Sequence, residues 1–231
     1  MYMLKLPEKL IYNNAANIVS VLGVLPLCIL FVDGGYKYII PLIIYNNIMD
    51  DLDGILAIKM NIKSNFGAIL DNLCDGISHC IFVMVVGMHF GGISVLASLI
   101  AVVSIMLRVV SRLVPSAVTC TGSPTNELIR HMMFVLLLAP LFDLNAAPFL
   151  IVVFTIHAVS MLVPYEMPYL IRSITKSATA IGLVNVALLI AWLVPFATPI
   201  IATCFILAYL YSFTDRGIKW LNTIKAPLTT L

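Results

Sequence analysis

Long apolar segments separated by short polar turns run through most of this chain and restrict the folds that it can adopt. A segment of about 17–25 apolar residues is long enough to cross about 30 Å of hydrocarbon. Hydrophobic residues make up 61% of the chain and charged residues 10%, a composition that no soluble domain needs. We place eight spans, at residues 15–32, 36–58, 67–90, 92–113, 127–144, 147–170, 177–196 and 199–214.

These spans predict an all-α integral membrane protein with about eight transmembrane helices, in one polytopic domain over residues 1–231. Residues 1–14 mix apolar and charged side chains and predict a short interfacial helix that lies on the membrane. We expect no cleavable signal, because the first apolar run is long enough to remain as a helix. No run rich in lysine or arginine is present, so we expect no nucleic-acid partner.

The distribution of basic residues predicts how the spans are oriented. If the N-terminus is cytoplasmic and eight spans follow, twelve of the 13 lysines and arginines fall on the cytoplasmic side, and Lys37 alone falls outside. Such an excess of cytoplasmic positive charge is the rule for membrane proteins. We therefore predict both termini on the cytoplasmic side, together with the acidic stretch described next.

Acidic residues concentrate between Asp50 and Asp75, although apolar segments flank this stretch on both sides. Five of the chain's 11 acidic residues lie there, namely Asp50, Asp51, Asp53, Asp71 and Asp75. A carboxylate in or near hydrocarbon requires a partner, and few cations lie nearby in the sequence. A solvated acidic helix end would also produce such a cluster. The shortage of protein cations favours bound metal ions instead.

The spacing of these acids predicts a helical hairpin over residues 36–90. Asp50 and Asp53 are three residues apart and Asp71 and Asp75 are four apart, so each pair lies on one face of a helix. The polar residues 59–65 predict the turn that brings the two pairs face to face. Gly54 and Gly67 beside the acids allow a ligand or another backbone to approach closely.

The pattern Asp50-x2-Asp53-Gly54-x2-Ala57 followed by Gly67-x3-Asp71-x3-Asp75 resembles the signature of the CDP-alcohol phosphatidyltransferases. The resemblance implies a core of six transmembrane helices, here extended by two, and a homodimer. One position departs from the family pattern, because Ile58 stands where the family has arginine, and Lys59 follows it.

The resemblance also implies a set of roles for the motif residues. Two Mg²⁺ or Mn²⁺ ions would be held by the four aspartates Asp50, Asp53, Asp71 and Asp75, and Asp75 would also be the catalytic base. The nucleotide of the CDP-linked lipid would contact Asp50, Gly54, Ala57, Gly67 and Asp71. The implied reaction belongs to phospholipid biosynthesis, and transfers a phosphatidyl group from CDP-diacylglycerol to a small alcohol with release of CMP.

The prediction of the acceptor alcohol rests on a resemblance to one branch of the family. Eight spans and the polar segment after the fourth span resemble the phosphatidylserine synthase branch, which implies L-serine. Glycerol phosphate, inositol phosphate and choline are the other acceptors considered. Candidate contacts for the acceptor or its phosphate are Lys59, Lys63, Arg108, Arg112, Thr121 and Ser123. Arginines at a helix end also serve as membrane anchors.

Three other interpretations of the acidic stretch remain open. A non-enzymatic cation transporter would use the same acids, but predicts polar residues along a path at mid-membrane. A ubiquinone-type prenyltransferase would fit Asp71-x3-Asp75, but separates its two motifs by over a hundred residues. An inactive relative of the transferases is suggested by Ile58.

Several single residues carry weaker hypotheses. Asn17-x2-Ser20 resembles a pattern that often opens the family's first helix, although both residue types also favour helix N-caps. Asp51 is predicted to be solvated or to support the other acids, and Cys74 is predicted to point away from them. Glu127 and Arg130 are three residues apart and are predicted to pair. The four histidines are predicted to be structural, with His79 able to orient Asp75 and His157 without an evident partner.

Overall fold

The computed structural model describes residues 6–114, 120–167 and 178–225, and every regular element in these ranges is helical. The α-helices are α1 (Leu6–Asn13), α2 (Ala15–Val24), α3 (Ile39–Lys59), α4 (Asn65–Phe90), α5 (Ile93–Leu113), α6 (Thr125–Leu141), α7 (Ala146–Leu162), α8 (Ala178–Leu193) and α9 (Thr198–Lys225). Two 3₁₀ helices, Leu25–Phe31 and Gly35–Tyr38, connect α2 to α3.

The helices form two compact units, residues 1–81 and 82–231, with the boundary inside α4. In the first unit α2 packs along α3. In the second unit α7 packs against α5 and α6, and α9 packs against α6 and α8. The core of the second unit consists of fully buried apolar side chains, including Ile105, Leu128, Met132, Leu150 and Phe154.

Three of the described helices are long and apolar enough to cross a membrane, α4, α5 and residues Thr198–Ile224 of α9. Shorter apolar helices occupy Ala15–Phe31, Ala146–Leu162 and Thr179–Leu193. The prediction of an all-helical protein that has segments suited to span a membrane is confirmed, and the short helix predicted near the N-terminus is present as α1. The count of eight spans stays a prediction.

Three predicted spans differ from the observed helices for local reasons. The first changes from α-helix to 3₁₀ helix after Val24, because Pro26 has no N–H to donate within an α-helix. The sixth ends at Leu162 because Val163, which precedes a proline, is extended. The last continues well beyond residue 214, where Lys219 pairs with Asp215 at 2.8 Å.

The turn between α3 and α4 is built by backbone geometry that the sequence supports. Asn61 has a positive φ of 54°, which asparagine tolerates better than most residues. Its N–H donates to the Ile58 carbonyl at 3.2 Å, and the Ile62 N–H donates to the Ala57 carbonyl at 3.1 Å. These two bonds form a Schellman motif that ends α3, in agreement with the turn predicted over residues 59–65.

Ser64 begins α4 on the other side of this turn. Its hydroxyl accepts a hydrogen bond of 3.0 Å from the Gly67 N–H, which is the N-cap contact that satisfies a free donor in the first helical turn. The end of α3 and the start of α4 are therefore both fixed. The helices α3 and α4 thus follow each other across a short turn, and this arrangement brings Asp50 and Asp53 close to Asp71. Binding of metal and nucleotide by this hairpin stays a prediction.

Candidate metal and nucleotide site

Three carboxylates converge between α3 and α4. One oxygen from each of Asp50, Asp53 and Asp71 lies within 4.8 Å of the other two. Asp75, one turn beyond Asp71 on α4, is in hydrogen-bond contact with Asp50. The acids that the motif places at fixed intervals are thus brought together by the hairpin, as their spacing predicts.

The donor set of this cluster fits a hard divalent cation. Mg²⁺ binds oxygen ligands at 2.0–2.1 Å, so two oxygens on opposite sides of one ion are about 4.2 Å apart. The observed limit of 4.8 Å between the carboxylate oxygens is close to that separation. A gap of about 10 Å³ lies among the four aspartates, roughly the room that one water-sized sphere occupies. Asp50, Asp53, Asp71 and Asp75 are therefore suitable ligands for Mg²⁺ or Mn²⁺.

An open cavity of about 330 Å³ adjoins the acids and is lined by α2, α3, α4 and the turn between α3 and α4. Asp53 and Asp71 lie on its wall, and Gly54, Ala57 and Gly67 line it as well. All five belong to the motif. The cavity is therefore built from the residues that the sequence pattern singled out, and the acids lie beside a space large enough for a small ligand.

The two motif glycines have different environments. A Cβ atom built on Gly54 would meet no atom within 4 Å, so this glycine faces the open cavity. A Cβ on Gly67 would lie 3.0 Å from Asn17 Oδ1 and 3.1 Å from Ser64 Oγ. Gly54 thus leaves room for a ligand, whereas Gly67 allows Asn17 of α2 to approach α4.

Helix α2 forms one wall of the site. Ser20 lies in the interior of α2, is buried, and donates a hydrogen bond from its hydroxyl to Asp53 Oδ2. Asn17, one turn earlier, lines the cavity. Neither residue is the N-cap of α2, a position that Asn14 occupies. The hypothesis that Asn17-x2-Ser20 serves only as a cap is therefore wrong, and Ser20 belongs to the acidic site.

Polar contacts hold α2 against α3. The Asn46 side-chain amide donates to the Gly23 carbonyl at 3.3 Å, and the Tyr45 hydroxyl donates to the Leu22 carbonyl at 3.0 Å. A Cβ on Gly23 would lie 3.2 Å from Met49 Cβ, so glycine at this position allows the two backbones to approach. Membrane helices commonly associate through small residues and interhelical hydrogen bonds of this kind.

The basic residues predicted near the site are not equivalent. Lys63 lines the cavity, and so does the exposed side chain of Ile58, which stands at the family's arginine position. Lys59 is exposed on the last turn of α3 and is not part of the cavity wall. Of the two lysines, Lys63 is therefore the one placed to meet a bound anion.

The other predicted acceptor contacts belong to the second unit, where Cys120–Pro124 is held against α5 and α7. Arg108 is buried and donates to the Cys120 carbonyl at 3.1 Å, whereas Arg112 is exposed. Ser123 is fully buried and shares a hydrogen bond of 2.9 Å with Ser160 Oγ. Thr121 donates its N–H to the Val163 carbonyl at 3.3 Å. Their role toward an acceptor stays a prediction.

Two neighbours of the acids were predicted incompletely or wrongly. Asp51 is buried, so the solvated alternative is wrong and a role in supporting the other acids stays a prediction; its carboxylate accepts a hydrogen bond of 3.3 Å from the Asn47 side chain. Cys74 lines the small gap among the aspartates instead of pointing away. It lies one residue before Asp75, a rotation of about 100° on a helix, yet both residues line the gap.

Two side-chain pairs in the second unit bear on predictions made from the sequence. The predicted pairing of Glu127 with Arg130 is confirmed, at 3.0 Å. His157 has a partner after all, because its Nε2 shares a hydrogen bond of 2.8 Å with His131 Nδ1. Both rings are buried, and this contact joins α6 to α7.

Sequence reasoning overlooked Asn46 and Ser78. Asn46 lies one turn before Asp50 and donates at 3.0 Å to Ser78 Oγ, which lies one turn beyond Cys74. Both side chains are buried, and Asn46 lines the gap among the aspartates. The available signal was a polar side chain within an apolar membrane segment, which requires a hydrogen-bond partner and marks a helix contact.

Comparison with known families agrees with this geometry. The model of the CDP-alcohol phosphatidyltransferase family matches residues 13–164, well over half of the chain. The match begins just before α2 and includes the whole acidic cluster and the cavity beside it. No curated protein matches the chain. The chain therefore belongs to the CDP-alcohol phosphatidyltransferase family, and is an enzyme that transfers a substituted phosphate group from a CDP-linked alcohol in phospholipid biosynthesis.

Proposed function

We propose that this enzyme transfers the phosphatidyl group of CDP-diacylglycerol to L-serine and releases CMP. One observation carries the proposal: Asp50, Asp53 and Asp71 converge within 4.8 Å beside a cavity whose wall includes Gly54. A carboxylate cluster next to an open cavity suits a nucleotide diphosphate bound through divalent cations.

The four aspartates would hold two Mg²⁺ or Mn²⁺ ions, which supply positive charge to the diphosphate of the donor. Asp50 and Asp71 would also face the nucleotide. The cytidine end of the donor would occupy the cavity of about 330 Å³. Gly54 and Ala57 support this placement, because small residues on the cavity wall leave space for a ring or a sugar. Gly67 also lines the cavity and is proposed to contact the nucleotide through its backbone.

The chemical step needs a base for the acceptor hydroxyl. Asp75 is proposed to take the hydroxyl proton as the acceptor oxygen forms a bond to the phosphorus that carries diacylglycerol. The bond between that phosphorus and the phosphate oxygen of CMP breaks, and CMP leaves with the electron pair. Asp75 is suited to this role because it contacts Asp50 and so lies beside the acids that would hold the metal ions.

The charge of the cavity wall supports a small acceptor with one carboxylate. Among the described residues that line the cavity, Lys63 carries the only positive charge. One lysine supplies one positive charge, which equals the charge of the serine carboxylate and is less than the nearly two negative charges of glycerol phosphate or inositol phosphate. Arg108, Arg112, Thr121 and Ser123 stay secondary candidates, since two of them already bond to the protein through their side chains.

The arrangement in the membrane is proposed from the charge pattern and the family. We propose eight spans in a single polytopic domain, with α1 at the interface and with both termini and the acids on the cytoplasmic side. Twelve of the 13 basic residues lie on that side in this arrangement. A homodimer is proposed from the family resemblance.

The test is release of CMP from CDP-diacylglycerol by the purified full-length protein with Mn²⁺ or Mg²⁺. Serine, glycerol 3-phosphate, inositol, inositol phosphate and choline are supplied in parallel reactions. Asp75→Asn removes the proposed base. Asp51→Asn is the matched control, because Asp51 is also a buried carboxylate but lies outside the cluster.

Serine-dependent release that Asp75→Asn abolishes and Asp51→Asn retains is the expected result. Release with another alcohol would overturn the assignment of serine and leave the mechanism intact. Folded protein that binds Mn²⁺ but releases no CMP with any acceptor would overturn the proposed reaction, and would favour cation transport or an inactive relative.

A further inference from the structure

Ser20 lies on a different helix from every motif aspartate, yet its hydroxyl donates directly to Asp53 Oδ2. We propose that Ser20 is a positioning residue that fixes the Asp53 carboxylate for metal binding. The inference rests on the proposed function, because it assigns to Ser20 a task within the same metal site. Nothing in the acidic motif itself requires a residue of α2.

The contact satisfies Oδ2 of the Asp53 carboxylate, and the same carboxylate contributes an oxygen to the cluster with Asp50 and Asp71. Asp53 is buried, so a carboxylate oxygen that has no donor would be destabilised there. Ser20 is the side chain that supplies a donor to Oδ2. A metal-binding carboxylate is commonly oriented by such a hydrogen bond, and removal of the bond weakens metal binding or activity by about 10–100-fold.

A serine inside a membrane helix has another way to satisfy its hydroxyl. Ser20 Oγ also lies 3.2 Å from the Ala16 carbonyl, one turn earlier in α2. A hydroxyl has a single proton to donate, and a carboxylate is a stronger acceptor than a backbone carbonyl. The bond to Asp53 is therefore the preferred one while Asp53 is ionised.

The rest of α2 holds Ser20 in place. Gly23 packs against Met49 and accepts from Asn46, and Leu22 accepts from Tyr45. These contacts, one turn beyond Ser20, fix the height and rotation of α2 on α3. A donor carried by a docked helix can hold Asp53 in one rotamer, which a mobile or solvated donor would not do.

The experiment measures Mn²⁺ binding by electron paramagnetic resonance on the full-length protein without substrate, alongside CMP release. Ser20→Ala removes the donor, Ser20→Cys keeps the size with a weaker donor, and Ser20→Thr keeps the hydroxyl. Ser78→Ala is the matched control, because Ser78 is a buried serine of the same unit whose hydroxyl accepts a hydrogen bond from the Asn46 amide.

We expect Ser20→Ala and Ser20→Cys to weaken Mn²⁺ binding about 10–100-fold and to raise the Mn²⁺ concentration needed for half-maximal activity. Ser20→Thr should stay within about threefold of the wild type, as should Ser78→Ala. The cysteine variant keeps the test decisive if the alanine variant does not fold.

Wild-type affinity for Mn²⁺ in both Ser20→Ala and Ser20→Cys would overturn the inference while the proposed reaction stands. Weakened Mn²⁺ binding in a protein that releases no CMP would support the inference and overturn the reaction. A wild-type protein that binds no Mn²⁺ would overturn both.

Discussion

The side-chain amide of Asn46 on α3 lies 3.0 Å from Ser78 Oγ on α4, and the same nitrogen lies 3.3 Å from the Gly23 carbonyl on α2. Its two hydrogens thus connect the three helices that surround the acids. Hydrophobic burial provides little force between helices in lipid, so such bonds and close packing hold the helices together.

Asn46→Leu should lower stability without touching an acid. Interhelical hydrogen bonds in membranes contribute about 0.6 kcal/mol each on average, so the loss of two should cost about 1 kcal/mol. We expect a lower Tm in detergent, with a parallel loss of activity as α2 separates from α3. Thr203→Val is the control, since the Thr203 hydroxyl donates to the Pro199 carbonyl of its own helix at 2.7 Å. An equal drop in Tm for both variants would contradict the bridging role.

Gly87 permits the close packing of α4 on α5 within the second unit. A Cβ at Gly87 would lie 2.4 Å from Ser98 Cβ and 2.1 Å from Ser98 Oγ. Gly87→Ala should therefore be destabilising, because overpacking costs about 1–3 kcal/mol and the gain in helix propensity is about 1 kcal/mol at most.

The measurement is thermal unfolding of Gly87→Ala beside Gly182→Ala, whose added methyl would meet nothing within 4 Å. Gly182→Ala should be neutral or stabilising. Ser98→Gly should restore the stability of Gly87→Ala by removing the clashing side chain. No rescue by Ser98→Gly would show that this contact is not the cause.

The acidic hairpin could be predicted from sequence because its information is local. The intervals between Asp50, Asp53, Asp71 and Asp75 decide which helix faces they occupy, and Asn61 with Ser64 determines where the turn lies. A helical hairpin has few alternative arrangements when the sequence determines both the facing sides of its helices and the position of its turn. The carboxylate cluster and its adjoining glycines follow from that geometry.

Contacts between helices distant in sequence could not be predicted in the same way. Ser20 lies 33 residues from Asp53 in the sequence. The sequence of α2 does not indicate that the Ser20 hydroxyl bonds to a residue of another helix. The burial of Asp51 and the bond between His131 and His157 have the same origin, because each depends on which helix packs opposite. The number of membrane-spanning helices depends on segments such as α3, whose acidic residues lower its mean hydropathy.

Asp53 and Asp51 provide a matched pair for the metal site. Both are buried carboxylates on α3, but only Asp53 belongs to the convergent cluster. Asp53→Asn should abolish Mn²⁺-dependent activity, with a loss of more than about 100-fold, because an amide cannot replace a charged ligand. Asp51→Asn should retain most of the activity. Comparable losses in the two variants, at equal Tm, would contradict the assignment of the cluster.

Gly54 tests where the nucleotide binds. Its missing side chain faces the open cavity, so Gly54→Leu should fold but should fill part of the space of about 330 Å³. We expect a higher KM for the CDP-linked donor with Mn²⁺ binding unchanged. Gly54→Ala separates size from backbone effects, since alanine favours a helix by about 1 kcal/mol over glycine. A Gly54→Leu enzyme with an unchanged donor KM would place the nucleotide elsewhere.

Lys63 is expected to act as the cation of the cavity in an enzyme that lacks the family's arginine. Lys63→Ala should raise the KM for the donor or for serine by roughly fivefold, the effect expected of one exposed charge pair, and the effect should shrink at high salt. Lys59→Ala is the matched control, because Lys59 is exposed but does not line the cavity. Ile58→Arg adds a cation at a position that does line it, and should restore the KM of Lys63→Ala. If Lys59→Ala raises the KM and Lys63→Ala does not, the anion is bound from the end of α3 instead of from the cavity wall.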